Sequence, residues 1–158
     1  MKRLTLFCIC LVPTLACAEL EGQVVSVHDG DSLIVLAGDE RVRVRLDSID
    51  APELKQPYGG RSRDSLAEMC SKKLARVEDL GRDRFGRTIG RVTCAGKDAN
   101  AEQVRRGMAW VFVRYAPRPS PLYDLEGEAK AARRGLWADP NAMAPWEWRR
   151  TKGRSEVQ

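Results

Sequence analysis

Residues 41–46, Arg-Val-Arg-Val-Arg-Leu, alternate strictly between charged and apolar side chains. A period of two places Arg41, Arg43 and Arg45 on one face of an extended strand and Val42, Val44 and Leu46 on the other. A helix has no use for such a pattern, since it would scatter the apolar residues around its whole circumference. Just upstream, Gly38-Asp39 is a tight-turn pair, and residues 32–37 are rich in apolar and β-branched side chains, so a hairpin is predicted. Residues 21–27 supply a further strand that ends at the Asp29-Gly30 turn. The result is a three-stranded meander with one apolar face, which the rest of the chain must cover.

Residues 62–74 carry Leu66, Met69, Cys70 and Leu74 at three-to-four spacing and predict a helix. Residues 75–80 and 88–94 read as two more strands around the turn-rich stretch 81–86. Asn100 is expected to cap a short helix ended by Gly107, and residues 108–115 to run extended. Ser120 caps a last helix with Pro121 in its first turn, expected to stop at Gly135 after Arg133 and Arg134. Five short strands with a helix between the third and fourth fit an α+β architecture: a five-stranded Greek-key barrel of the OB type with about three helices.

The chain has 158 residues, 31% charged and 43% hydrophobic, which is ordinary for one globular domain and excludes a disordered chain. Residues 1–18 have the form of a signal peptide: Lys2 and Arg3, then a mostly apolar run, then Ala16-Cys17-Ala18 as a cleavage site. The apolar run is too short to span a bilayer. Lipidation of Cys17 is a second reading, ranked lower because Pro13 and Thr14 stand where such a signal wants aliphatic residues. The expected organisation is a signal over 1–18, a barrel domain over 19–139 and a Trp/Arg-containing tail over 140–158, with export to the periplasm or beyond the cell. Cleavage removes two cations and no anion, taking the net charge from +5 to +3. A basic balance of this size suits an anionic partner without identifying one. Cys70 and Cys94 are then the remaining cysteines. They form either one disulfide or two buried thiols, and an oxidising compartment favours the bridge. With one histidine, His28, to which no role is given, and no Cys/His cluster, zinc is not expected.

The chemistry concentrates between Asp29 and Glu53. Asp31 and Asp50 are carboxylates at two strand ends, and a carbonyl near Ala51 adds a third oxygen. Oxygen donors of this kind suit calcium, and so small a set leaves room for water and a phosphate. Glu53, just past Pro52, is placed to orient or deprotonate a water. Arg45 and Arg87 have the geometry and permanent charge to hold phosphoryl oxygens. Trp110 and Phe112 read as core. Trp146 and Trp148, beside Arg149 and Arg150, read either as a stacking-and-cation patch for single strands or, the preferred reading, as a tail packed back on the barrel. Residues from Thr151 onward are expected to fray.

Taken together, Gly30-Asp31-Ser32, Arg45-Leu46, Ile49-Asp50-Ala51-Pro52-Glu53, Asp83-Arg84-Phe85-Gly86-Arg87, Asn100-Ala101-Glu102 and Val104-Arg105-Arg106-Gly107 resemble the thermonuclease, or staphylococcal-nuclease-like, family from about residue 21 to 137. The resemblance implies an OB barrel with three helices and calcium-dependent cleavage of DNA and RNA, single strands preferred, leaving 3′-phosphate ends. It further implies calcium held by Asp31, Asp50 and the Ala51 carbonyl, a catalytic trio of Arg45, Glu53 and Arg87, and nucleotide contacts from Arg84, Phe85 and Tyr115. Phe85 stands where a tyrosine contacts phosphate, and Val113 where a second base-pocket tyrosine is found. A monomer with no stable protein partner is expected. The alternative is an inactive OB module that binds single-stranded nucleic acid.

Overall fold

A computed structural model describes residues 19–155; the predicted leader lies outside the described residues. Strands β1 (Glu19–Val27), β2 (Ser32–Ala37) and β3 (Glu40–Leu46) form the predicted antiparallel meander. The alternation in β3 is realised: Val44 and Leu46 are fully buried while Arg41 and Arg43 face water. After a short strand β4 (Ile49–Asp50) and helix α1 (Gly59–Cys70), β5 (Leu74–Arg82) pairs with β1, and β6 (Thr88–Cys94) pairs with β5. Parallel pairing of β3 with β6, Val44 opposite Thr88 and Leu46 opposite Gly90, closes five strands into a barrel. Closure removes free sheet edges, and the inward residues Val24, Leu33, Val35, Val44, Leu46, Val77 and Val92 fill the interior. The OB-type α+β expectation holds.

The β7 strand (Lys97–Asp98) leads into α2 (Ala99–Arg105), and β8 (Trp110–Val111) pairs with β4 in a second small sheet. Helix α3 (Pro121–Ala131), a 3-10 turn at Gly135–Ala138 and α4 (Pro145–Ser155) complete the chain. The described residues thus hold four α-helices, one more than expected. Leu66 of α1 and Val104 of α2 are fully buried against the barrel end.

Several boundaries differ from the sequence expectation for identifiable reasons. Helix α1 ends at Cys70 rather than residue 74, because β1 captures the following backbone: Lys72 N–H donates to Val24 O and Val24 N–H to Lys73 O, both at 2.9 Å. Asp98, not Asn100, caps α2, accepting from Ala101 N–H at 2.9 Å. Asn100 is buried instead, accepting from Val92 N–H at 3.0 Å and donating to Asp47 O at 2.8 Å. The extended run over 108–115 shrinks to two residues, since Tyr115 and Ala116 N–H both turn back onto Phe112 O. Helix α3 closes at Ala131 rather than at Gly135, with Arg133 in the left-handed region at φ 50°. Ser120 and Pro121 sit at its start as predicted. The tail is helical through Ser155 rather than frayed from Thr151. Cys70 and Cys94 are bonded, tying the end of α1 to the end of β6.

Candidate active site

Asp31 is aimed by the turn that carries it. Asp29 Oδ1 accepts from Asp31 N–H at 3.0 Å and from the Ser32 hydroxyl at 2.6 Å, so the turn folds around one carboxylate. Gly30 is required there by close approach, since a Cβ would stand 1.8 Å from Ser62 Oγ of α1. Gln103 of α2 donates to Gly30 O at 2.7 Å from a fully buried position. The β2–β3 register sets Ser32 opposite Arg45, bringing the turn beside that arginine. Asp50 arrives from β4, held by pairing with Trp110 of β8. Ala51 N–H donates to Asp31 Oδ2 at 2.8 Å, joining the two aspartate segments directly.

One nitrogen reports how close the acids are. Arg45 Nη2 lies 3.6 Å from Asp31 Oδ2 and 3.2 Å from Asp50 Oδ1, while Nη1 donates to Leu46 O at 2.9 Å. Both acids are buried. Burial pushes the Asp31 carboxyl up to about 7; Arg45 pulls it back, Asp29 and Asp50 push it further, and the Ala51 N–H opposes them. Two hard carboxylates that already share a cation's attention are a suitable donor set for a divalent ion, with a neighbouring main-chain oxygen and water to complete it. Among the described residues no group of three or more His, Cys, Asp or Glu side chains converges on a metal position, so protein side chains alone would underfill the shell.

Glu53 sits on a turn that is tied down at several points. Gln56 N–H donates to Glu53 O at 2.8 Å, and Gln56 Oε1 accepts from Glu53 N–H at 3.2 Å. Gln56 Nε2 then donates to Met143 O at 2.6 Å, linking the turn to the C-terminal segment. A Cβ at Gly59 would stand 2.0 Å from Glu53 O, so α1 begins hard against the same turn. The Glu53 carboxylate is 43% exposed and accepts from Arg149 Nη1 at 2.7 Å.

Arg87 comes from the β5–β6 hairpin, which Asp83 organises much as Asp29 organises its own turn. Asp83 accepts from Phe85 N–H and Arg87 N–H at 2.9 Å, and from Arg87 Nε at 2.7 Å. Partial burial raises the Asp83 carboxyl, but these hydrogen bonds outweigh it and hold the group below the usual carboxylate range. Arg84 and Arg87 lie 4.7 and 5.8 Å from the centre of the exposed Phe85 ring. Opposite, Phe112 packs edge-on to Tyr115 and stacks on Trp146 of α4. A cleft of about 800 Å³ is lined by Asp31, Arg45, Asp50, Ala51, Glu53, Arg84, Phe85, Arg87 and Tyr115 together. Every expected metal, catalytic and nucleotide-contact residue therefore faces one space. Trp110 is buried, as read from sequence, whereas Phe112 forms a wall of the cleft.

Sequence reasoning named Arg149 only within a stacking-and-cation patch and not among the acids, yet it lines the cleft and its Nη2 donates to Asp50 Oδ2 at 2.7 Å. The available signal was the Trp-Glu-Trp-Arg-Arg cluster, but choosing among its arginines requires the phase of a helix that the sequence did not announce.

A family model of staphylococcal nuclease homologues matches residues 43–139. The chain belongs to that family. Protein ParB of Escherichia coli is 41% identical over 150 residues, covering 89% of this chain and 85% of the relative. Micrococcal nuclease of Shigella flexneri is likewise 41% identical over 150 residues, covering 89% and 86%. An uncharacterized endonuclease of Escherichia coli is 42% identical over 137 residues, covering 86% and 89%. These near full-length matches reach beyond the family model on the side of Asp31.

Proposed function

We propose that this chain is a calcium-dependent nuclease that hydrolyses the phosphodiester bonds of DNA and RNA, preferring single strands, leaving 3′-phosphate ends and acting as an exported monomer. Hydrolase chemistry of the nuclease kind follows from the family and from relatives named as nucleases at about 41% identity. The observation that carries the reading further is the meeting of Asp31, Asp50 and Arg45 at one guanidinium nitrogen, beside Glu53 and in the cleft that Arg87 enters. Asp31 and Asp50, with the Ala51 carbonyl, would hold calcium; when bound it supplies Lewis-acid polarisation of a phosphoryl oxygen.

The chain's own residues perform the rest. Glu53, half exposed on its fixed turn, accepts a proton from a water aligned with the phosphorus. The water oxygen bonds to phosphorus as the P–O5′ bond breaks, and the departing 5′-oxygen takes its proton from solvent. Arg45 and Arg87 meet the charge that builds on the phosphoryl oxygens, from the barrel floor and from the hairpin respectively. Asp83 anchors the Arg87 side chain through Nε at the cleft lining. Arg84, Phe85 and Tyr115 are set to contact phosphate and base along its rim. Export is supported by the disulfide, which persists in an oxidising compartment.

The test is degradation of a single-stranded DNA oligonucleotide with calcium and with chelator. The expected outcome is cleavage with calcium and none with chelator. Arg87→Ala should lower kcat about 10²- to 10³-fold and Glu53→Gln about 10²- to 10⁴-fold. Binding without calcium-dependent cleavage by the wild type would establish the inactive OB module instead.

A further inference from the structure

Arg149 lies beyond the span matched by the family model, which ends at residue 139, yet it is the most engaged cation of the acid cluster. Its Nη2 donates to Asp50 Oδ2 at 2.7 Å, its Nη1 to Glu53 Oε1 at 2.7 Å and, more weakly, to Asp50 Oδ1 at 3.4 Å. Asp50 is therefore gripped on both oxygens, Arg45 taking Oδ1 at 3.2 Å and Arg149 taking Oδ2. These two guanidinium groups are the cations paired with Asp31, Asp50 and Glu53.

A divalent ion on Asp31 and Asp50 would add two positive charges next to both arginines, and like charges at that range repel. The two are not equally able to yield. The Arg45 side chain is 15% exposed and anchored to Leu46 O inside the barrel. The Arg149 side chain is 45% exposed and projects from the last helix. Trp146, three residues earlier and so on the same helix face, stacks on Phe112 at 5.5 Å between centroids. That stack docks α4 on the cleft wall through contacts separate from the ion pairs of Arg149. Burial works to lower the Arg149 guanidinium, but its bonds to Asp50 and Glu53 raise it, so it stays charged whether held or released.

We propose, resting on the calcium reading above, that Arg149 is a third arginine of the active site: it holds Asp50 and Glu53 until a divalent ion engages Asp50, and then turns to a non-bridging phosphate oxygen of the bound nucleic acid. A planar guanidinium suits both partners, since it forks equally well onto carboxylate and phosphate. The helix that carries it is thereby part of the substrate site.

Two binding measurements on the full chain test this without relying on turnover. The first is calorimetric titration of calcium into chelator-stripped wild type, Arg149→Ala and Arg149→Lys. The second is fluorescence anisotropy of a phosphorothioate oligonucleotide with calcium present. Removing a competitor for Asp50 should tighten calcium binding about fivefold in Arg149→Ala, the scale of one exposed ion pair, and removing a phosphate contact should weaken oligonucleotide binding by about the same factor. Arg149→Lys should fall between on both. A merely structural arginine would weaken both together, so opposite shifts are the signature. Calcium affinity unchanged or weaker in Arg149→Ala, or unchanged oligonucleotide affinity, overturns the proposal. Arg149→Gln serves the same comparison should the alanine protein lose its circular dichroism. A wild type that neither binds calcium nor cleaves would remove the calcium reading and this inference with it. A wild type that does both, with an indistinguishable variant, removes this inference alone.

Discussion

A proton has a firmer hold on Asp31 than on an ordinary carboxylate. Burial disfavours the anion, Arg45 recovers part of that, and Asp29 and Asp50 repel it further, leaving the group near 7 against 3.8 for a free aspartate. The sign of the linkage follows. A group whose folded pKa is raised contributes stability below its unfolded pKa, and that contribution is lost as pH rises through the folded value. Wild type kept in chelator should accordingly lose thermal stability as pH rises from about 4 to about 7, and level off above that. Asp31→Asn, which keeps the shape and cannot ionise, should not share that loss, and its midpoint should exceed the wild type's above pH 7 but not below about pH 4. Differential scanning calorimetry in chelator checks this, and parallel pH curves for the two proteins would refute the assignment. Asp83 shows the opposite arrangement: hydrogen bonds from Phe85 and Arg87 hold its charge, so the Arg87 anchor survives into acid and is lost only as pH falls below the ordinary carboxylate range.

At the scale of elements, the site is a meeting of turns fixed by packing rather than a feature of any one strand. Cys70–Cys94 ties α1 to β6, and α1 both packs on the Gly30 turn and starts against the Glu53 turn. Closing a loop of 24 residues stabilises by about 3–4 kcal/mol in the chain-entropy account. Cys70→Ala/Cys94→Ala should therefore lower stability by about that amount in urea melts, while leaving kcat within about twofold below the transition, since neither sulfur lines the cleft. A kcat loss as large as that from a cleft substitution would mean the bridge shapes the site itself. The meander, the hairpin turn at Gly38 and the cap at Ser120 were legible because each is written in local alternation or turn chemistry. So were Asp31, Arg45, Asp50, Glu53 and Arg87, whose order along the chain carried the resemblance. What escaped was settled by distant partners. The end of α1 depends on Val24, the burial of Asn100 depends on β6, and the short β4–β8 pair that holds Asp50 depends on a strand sixty residues away (about the separation of Asp50 and Trp110). Helix α4 docks through Trp146, which stacks on Phe112 and packs against the cluster of Trp110, Leu136 and Ala144, partners that local sequence does not name.

Across the whole molecule, the net charge of +5 says less than its distribution. The cleft carries Arg45, Arg82, Arg84, Arg87, Arg114 and Arg149, and is matched by Asp29, Asp31, Asp47, Asp50, Asp83 and Glu53. Six cations face six acids, so the cleft's own side chains nearly cancel and offer a polyanion little net attraction. Two added positive charges there convert it to a cationic channel and free any guanidinium that had been serving the acids. Nucleic-acid binding should then be coupled to calcium in a way that a purely electrostatic OB module would not show. For a phosphorothioate oligonucleotide, affinity should rise at least about tenfold on adding calcium at constant ionic strength. The slope of log K against log salt should steepen from near −1 in chelator to about −2 to −3 with calcium, as three or four phosphates become paired at roughly −0.7 each. Glu53→Gln provides an internal check, because removing one cleft anion should strengthen the chelator-state binding and leave less for calcium to add. Equal affinity and equal salt slopes with and without calcium would place the anion-binding surface elsewhere on the barrel and separate binding from the acid cluster altogether.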